Sequence, residues 1–176
     1  MVETANGKNR RMSTVNPTGL VSEPLYNLAL LIAQSASFQA WTGTVTWEDA
    51  IAQVFVIEPD DGPVSHPFAA LNWDSLNWQM VSGGASAQYI ASGRIGILFE
   101  EKIDPAHIDL ATAPAYAFAN ALGGIIADIL SAAGQSETLI IPTLSLDHKP
   151  ERVSESWLGT AGDYYQAKLT ATWGLQ

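Results

Sequence analysis

The sequence of 176 residues contains no cysteine. This absence excludes disulfides, thiolate nucleophiles, zinc ribbons and iron–sulfur clusters. Basic residues are scarce as well, because eight Lys and Arg stand against eighteen Asp and Glu, for a net charge of −10. Neutralising phosphates requires Lys and Arg, so the protein as a whole is poorly suited to binding nucleic acid. No apolar run long enough to cross a bilayer and no signal peptide were found, which predicts a soluble protein without a membrane partner.

Histidines and serines show no catalytic or metal-binding pattern. His66, His107 and His148 lie in three separate segments, without metal-ligand spacing. Ser145, Asp147 and His148 share one strand, on which the histidine points away from the other two residues, so they do not form a triad. Phosphate-loop and nucleophile-elbow motifs are missing. The sequence therefore predicts no enzyme, no metal site and no cofactor.

Two pairs of adjacent carboxylates, Asp60-Asp61 and Glu100-Glu101, stand out among the acidic residues. Adjacent residues on a strand or turn face apart, so they make poor acid–base partners. Solvated charge is the simpler interpretation, and together they would contribute to a negative field.

Residues 1–21 are polar, lack an apolar period and carry three basic residues against one acidic residue. They predict a flexible N-terminal arm, which either reaches a neighbouring subunit or is simply a loose terminus. The remaining residues, 22–176, predict a single domain. That domain holds seventeen acidic and five basic residues, a net charge of −12.

Three segments have helical patterns. Ser22 caps a first helix whose apolar residues recur at steps of three and four, and Gly43 ends it. Thr46 caps a short second helix over residues 47–53. The longest helix covers residues 115–133, with an apolar stripe on one side. Its opposite side holds Gly124 and Asp128, and either packs closely on another helix or is simply exposed; exposure is the simpler account.

Four segments predict strands, at residues 66–73, 89–103, 138–148 and 163–174. Residues 74–88 between the first two predict a long loop or flexible hairpin tip, and residues 149–161 a polar excursion. Pro142 places the third strand at an edge or at a bulge. The resulting order, α-α-β-β-α-β-β, predicts an α+β domain with a mostly antiparallel four-stranded sheet and helices packed on one face.

The last strand alternates between two faces. Tyr165, Ala167, Leu169, Ala171 and Trp173 form its predicted buried face, and the outward face comprises Tyr164, Gln166, Lys168, Thr170 and Thr172. Exposed aromatic and sulfur side chains in loops favour protein contacts. Trp73, Trp78 and Met80 are therefore candidates for protein contacts. If copies of the chain associate, Tyr164 and Lys168 on the outward face of the last strand are candidates as well.

The element order and several segments resemble the tail terminator, or tail-completion, proteins of long-tailed bacteriophages. The segments are a Trp-Thr-Gly turn at residues 41–43, His-Pro-Phe-Ala at 66–69, Ser-Gly-Arg-Ile-Gly-Ile-Leu-Phe at 92–99 and the final Gly-Asp-Tyr-Tyr-Gln-Ala-Lys-Leu-Thr-Ala-Thr-Trp-Gly at 162–174. The resemblance covers residues 20–175. The inserted loop at residues 73–88 and the N-terminal arm are less typical of the family, so the resemblance implies no contact for either.

The resemblance implies a structural virion protein, made in the host bacterial cytoplasm and located in the tail or neck. Such proteins form hexameric rings that cap the tail tube and join it to the head–neck connector, while DNA passes through the lumen without specific binding. Candidates for lumen-facing acidic residues are Asp60, Asp61, Glu100 and Glu101. The alternatives are another neck, connector or tail-tube component and, less favoured, a small hydrolase or a carbohydrate-binding module.

Overall fold

The computed structural model describes residues 22–56, 65–83, 86–104, 113–135 and 139–175. These residues form an α+β fold. Its elements are α1 (Ser22–Gln34), α2 (Ala36–Thr42), α3 (Trp47–Ala50), a 3₁₀ turn (Ile51–Gln53), β1 (Val54–Val56), β2 (Phe68–Gly83), β3 (Ser86–Lys102), α4 (Ala113–Ala133), β4 (Leu139–Glu155) and β5 (Ala161–Leu175).

The first predicted helix is two helices, α1 and α2, separated at Ser35. Ser35 has an extended backbone, and its side chain accepts a hydrogen bond from the backbone N–H of Phe38 at 3.1 Å, which caps α2. A serine side chain that hydrogen-bonds to a backbone N–H further along the chain favours a new helix start over a continued helix. The apolar residues keep their helical spacing across this break, so the spacing alone did not predict it. The second predicted helix ends early, because α3 tightens into the 3₁₀ turn before β1.

The described strands form one mixed sheet in the order β1-β2-β3-β5-β4. β1 runs parallel to β2, with Val54 opposite Ala69 and Val56 opposite Leu71, and all other pairs are antiparallel. The prediction of four strands was therefore wrong for the described sheet, because β1 adds a short parallel strand. The three residues of β1 are β-branched or aromatic, and three are enough because they only add a short strand beside the existing edge strand β2.

The predicted loop at residues 74–88 is largely strand. β2 and β3 pair from Phe68 opposite Glu100 to Gly83 opposite Ser86, with one irregularity between Trp73 and Ser75. Similarly, β4 continues through most of the predicted polar excursion and reaches Glu155. Both segments lack a clean apolar alternation, so the sequence pattern does not reveal the backbone pairing with a neighbouring strand that makes them strands.

The final strand lies inside the sheet, between β3 and β4. Its predicted buried face is confirmed: Ala167, Leu169, Ala171 and Trp173 join the main core, and Tyr165 packs against that core. The same core receives Leu28 and Ile32 of α1 and the stripe Phe118, Leu122, Ile125 and Ile129 of α4. The described helices therefore share one face of the sheet, and the opposite face is called the far face below.

α2 is fastened to α4 through Asp128. Its Oδ2 atom accepts hydrogen bonds from the side chain of Ser35 at 2.7 Å and from the backbone N–H of Ser37 at 3.0 Å. Gly124 lies one turn earlier, where a Cβ atom would come within 2.6 Å of the Ser37 hydroxyl. The small-residue side of α4 therefore packs closely on another helix at this point, and the simpler prediction of plain exposure was wrong there.

Candidate interaction surfaces

The far face carries a second, smaller cluster, built around Glu100. Glu100 is on β3, directly opposite Phe68 of β2 and Gln166 of β5. Its side chain has 0 % exposure. A buried carboxylate is costly unless hydrogen bonds replace its lost hydration, so its partners decide whether it can remain there.

Four groups bond to this carboxylate. Oε1 lies 2.8 Å from Nε2 of His66 and accepts a short hydrogen bond from the hydroxyl of Ser156. Oε2 accepts hydrogen bonds from the backbone N–H of Trp157 at 2.7 Å and from Nε2 of Gln166 at 2.6 Å. The carboxylate therefore joins the segment before β2, the two central strands and the turn after β4. The sequence interpretation of Glu100 as solvated charge was wrong.

Serine, histidine and a carboxylate meet here, but not in the order of a hydrolytic triad. In a triad the histidine lies between the other two groups and takes the proton of the serine. Here Glu100 lies in the middle and bonds to both Ser156 and His66, while no hydrogen bond joins those two across the part of the chain that the structure describes. The Ser156 side chain is also buried. The cluster is thus built to hold a turn, not to attack a substrate.

The turn at residues 156–160 folds over the far face and presents Trp157. This side chain is 42 % exposed, and its ring centroid lies 6.5 Å from that of Phe68. Beside it lies a shallow groove of about 260 Å³, whose lining includes Ala70, Asn72, Gly96, Leu98 and Lys168. Pockets for small molecules usually measure roughly 300–1,000 Å³, so this groove is small for an enzyme site or a sugar site.

The two β5 residues predicted as contacts have different surroundings. Tyr164 is 1 % exposed, because its ring packs against the imidazole of His66 at a centroid distance of 5.2 Å. The prediction that Tyr164 makes a surface contact was wrong. Its ring is covered by His66, which lies nearly a hundred residues earlier in the chain. Lys168 is exposed on the far face, and its Cε atom lies near Gly96. Its role as a contact stays a prediction.

The predicted acidic lumen residues are also separated. Glu100 is fully buried and does not present its charge to a channel. Glu101 points to the other face, where it accepts a hydrogen bond from Nε1 of Trp41 at 2.9 Å. Asp60 and Asp61 lie outside the described residues. Of the four, only Glu101 has a described side chain with any solvent exposure, and it is already engaged with α2.

β2 and β3 extend well past the rest of the sheet. The last pair of β3 with β5 is Ser92 opposite Gly174, whereas β2 and β3 continue pairing to Gly83 and Ser86. Residues 78–83 and 86–91, called the hairpin arm below, are therefore two-stranded, and within the described sheet no strand pairs with either outer edge. Trp78 and Met80 belong to this arm, opposite Ala91 and Tyr89.

Trp73, the remaining predicted contact, lies on β2 before the hairpin arm begins and is not part of the arm. Its ring packs against Trp173 at a centroid distance of 5.5 Å, and it borders the main core. Close by, a Cβ atom on Gly93 would lie 2.3 Å from the carbonyl oxygen of Ser75. Trp73 is therefore only half-buried and serves chiefly to pack the sheet end from which the arm extends.

The solvent-facing side of α4 is a second unusual surface, and on this side of the helix the simpler prediction of exposure is confirmed. It includes Tyr116, 68 % exposed, and Leu130, 40 % exposed, with Asn120, Gly123 and Ala127 between them. α4 contains one charged residue, Asp128, which is bonded to α2. A helix on the surface of a soluble domain normally carries charges on its outer side. The signal was present in the sequence as a helix-long stretch without Lys, Arg or Glu.

Residues Ala115–Ala133 of α4 are also long and apolar enough to cross a membrane, by length and composition alone. The expectation that no run approaches that length needs correction here, because Ala and Gly raise the hydropathy without forming an obvious apolar block. Only 22 % of the stretch is buried. Its inward residues nevertheless pack on the sheet as those of a core helix do.

Within the described ranges, no group of three or more His, Cys, Asp or Glu residues is arranged to hold a metal ion. No known family model matches the sequence. A search of curated proteins likewise finds no significant match.

Proposed function

We propose that this protein is a structural component of a long-tailed phage virion, a tail terminator that forms a ring, caps the tail tube and joins it to the head connector. The observation that carries the proposal is the hairpin arm. An isolated two-stranded hairpin is marginally stable in water, and unpaired strand edges are templates for pairing with other chains. A chain that keeps such an arm is best explained as one that assembles.

The other edge of the sheet supports the same conclusion. β4 carries Pro142 and Pro150, and its pairing with β5 is irregular at four places. Prolines and irregularities are the usual means of preventing unwanted strand pairing. Residues 75–83 of β2 contain neither Pro nor Lys and pair only with β3 among the described strands. The sheet is therefore protected at one edge and open at the other.

The negative net charge of the domain is compatible with a channel through which DNA passes without being bound. Residues 22–176 carry −12, and a channel surrounded by such a body repels phosphates. With Glu100 buried, that field would come from exposed carboxylates such as Asp147, Glu151 and Glu155. Which of these face a lumen depends on the orientation of the ring.

The test is assembly in the presence of tail tubes. The purified chain is measured by light scattering over a range of concentrations and imaged by negative staining, alone and mixed with tail-tube subunits. A tail terminator is expected to form rings of uniform subunit number and to sit at tube ends, which then stop growing. A chain that remains monomeric at every concentration and leaves tube growth unchanged would overturn the proposal.

Another neck, connector or tail-tube component is the principal alternative, and the same assay separates it. A tube component is expected to be incorporated along the tubes, whereas a connector should bind neck proteins and leave tube length unchanged. A carbohydrate-binding module is less favoured, because the groove beside the exposed Trp157 is small. Quenching of tryptophan fluorescence by oligosaccharides, lost in Trp157→Ala, would favour that function instead.

A further inference from the structure

The surface at the start of α3 combines exposed apolar area with negative charge. Val45 is 87 % exposed and Trp47 is 37 % exposed. Glu48 and Asp49 follow directly in the first turn of α3 and are exposed as well. Across the described ranges, no cationic side chain lies within ion-pair distance of either carboxylate. These four residues are called the α3 patch below.

The other large apolar side chains that are exposed in the described chain have different surroundings. Those of α4 share their helix with one charged residue, Asp128, which is bonded to α2. Leu146 and Trp157 belong to the β4–β5 hairpin, which holds three basic residues. Between Arg11 and Arg94, by contrast, the sequence contains no Lys or Arg. Of these surfaces, the α3 patch is therefore the best suited to a basic partner.

A basic segment is present at the start of the same chain. Residues 1–21, which lie outside the described residues, carry a net charge of +2. Lys8, Arg10 and Arg11 fall within four positions, although the whole protein has only eight basic residues. Such side chains are attracted both to the face of a tryptophan ring and to carboxylates. The charge of this segment is therefore complementary to the α3 patch.

We infer that residues 8–15 dock on the α3 patch of their own chain, with their basic side chains against Trp47 and the two carboxylates. Met12 and Val15 supply apolar groups that can cover Val45. The contact lies within one chain, so it goes beyond the proposed ring and does not depend on it. Since salt screens exposed ion pairs, the exposure of the α3 patch should increase with ionic strength.

The segment is long enough to reach the α3 patch. α3 packs against α1, which begins at Ser22, where the described residues begin. The thirteen residues of α1 span about 20 Å, and helix packing adds about 10 Å, so Trp47 lies within roughly 30 Å of Ser22. The eleven residue steps from Arg11 to Ser22 can span about 36 Å. Docking on the same chain is therefore compatible with its length.

The chain's own segment has an advantage over other basic partners. Exposed ion pairs and cation–π contacts are individually weak. Tethering by a short linker gives a group an effective concentration in the millimolar range, which a separate molecule at micromolar concentration does not match. Nucleic acid fits less well, because its phosphates are repelled by the two carboxylates of the patch.

Disulfide mapping tests the contact in the full-length chain, which has no native cysteine. A chain with Ser13→Cys and Val45→Cys is oxidised at a concentration where it is monomeric. We expect an intrachain disulfide, identified by mass spectrometry of its peptides, because the bond requires Cα atoms within about 7 Å. The matched control, Ser13→Cys with Tyr116→Cys, uses an exposed apolar residue of α4 and should react at least about tenfold more slowly.

Charge exchange measures the electrostatic part of the contact. Glu48→Lys should slow formation of this disulfide about fivefold at low salt, because attraction becomes repulsion. Glu151→Lys, at an exposed carboxylate of β4, should leave the rate unchanged. Replacing Arg10 and Arg11 by Glu should also slow the reaction, and adding Glu48→Lys to that chain should restore part of the rate. In about 0.5 M NaCl these differences should shrink.

Three results would overturn the inference. Equal rates for the Val45→Cys and Tyr116→Cys chains would show no preference for the α3 patch. Mixed single-cysteine chains that form a Ser13–Val45 heterodimer faster than the intrachain bond would assign the patch to another copy. An unchanged rate in Glu48→Lys would show that charge does not select the segment. Ring formation and tube capping are measured separately, so the proposed function would stand in each case.

Discussion

The carboxylate of Glu100 lies 2.8 Å from Nε2 of His66, on the side of the sheet away from the described helices. The two residues are thirty-four positions apart, and β3 supplies one while the segment before β2 supplies the other. With Ser156, Trp157 and Gln166 they form a network in which every partner donates to the same carboxylate or faces it. Such a network stabilises a structure only while it is complete.

Replacing Glu100 by Gln should destabilise the domain by about 2–4 kcal/mol, because the new amide group faces donors and leaves buried hydrogen-bonding groups unpaired. Urea unfolding at pH 7, followed by tryptophan fluorescence, measures the change. The control is Glu151→Gln, an exposed carboxylate on β4, for which less than about 0.5 kcal/mol is expected. Equal effects of the two substitutions would show that the Glu100 network contributes no special stability.

Asp128 should make stability depend on pH in the acidic range. The backbone N–H of Ser37, and then the hydroxyl of Ser35, lower the pKa of this carboxyl below its ordinary value of 3.8. A lowered pKa in the folded state gives stability that is present above pH 3.8 and is lost as the pH falls through the folded value.

Asp128→Asn is therefore expected to cost about 1 kcal/mol near neutral pH, the usual value of a helix cap. The cost should be fully present near neutral pH and shrink as the pH falls below 3.8, as thermal or urea unfolding at each pH would show. Asp74→Asn, at an exposed ion pair with Arg94, is the control. A difference between wild type and Asp128→Asn that does not change with pH would contradict the proposed cap.

The sequence predicted correctly where one face is buried. The period of two in β5 identified Ala167, Leu169 and Ala171 as core residues, because a strand against a helix layer must alternate. The bulge or edge at Pro142 was also predicted, and the β4–β5 register does shift between Ile140 and Thr143. Both signals are local, so neighbouring residues suffice to read them.

Predictions failed where the deciding partner is distant in sequence. Tyr164 lies on the polar side of β5, and its burial depends on His66, which no local pattern connects to it. Glu100 appeared solvated for the same reason, since its four partners come from three other segments. Most of the hairpin arm was missed as strand because its residues show no clean apolar alternation, and only the pairing of β2 with β3 reveals it.

Two glycines should respond to alanine in opposite directions. At Gly93 a Cβ atom would lie 2.3 Å from the Ser75 carbonyl oxygen and 3.0 Å from Nε1 of Trp173. Since the nearest of these atoms is backbone, Gly93→Ala should force the two strands apart and destabilise by at least about 2 kcal/mol.

At Gly123, in the interior of α4, no atom lies within 4 Å of the same position. Gly123→Ala should stabilise the monomer by about 0.5–1 kcal/mol, the difference in helix propensity. Both variants are compared by urea unfolding at a protein concentration low enough to prevent association. If Gly93→Ala leaves the free energy of unfolding unchanged, the strands at the base of the arm are packed less closely than the approach of Gly93 to the Ser75 carbonyl indicates.

Removing the hairpin arm separates folding from assembly. Asn77 lies opposite Ser92, and this pair directly borders the arm, Asn77 before it and Ser92 after it in the chain. A two-residue Asn-Gly turn in place of residues 78–91 closes an antiparallel pair with the twist that strands prefer. All pairs of β3 with β5 remain, and a two-stranded extension adds little stability of its own. The shortened chain should therefore unfold within about 1 kcal/mol of wild type.

The same shortened chain should not form rings, because the strand edges of the arm, which no strand of the described sheet covers, are gone. Light scattering at the highest soluble concentration is expected to give a monomer, and negative staining should show no capped tubes. Full-length Val45→Glu, handled identically, controls for a general effect of altering the surface. Rings of normal size from the shortened chain would show that the arm is not an assembly element, and the open edge of β2 below it would then be the remaining candidate.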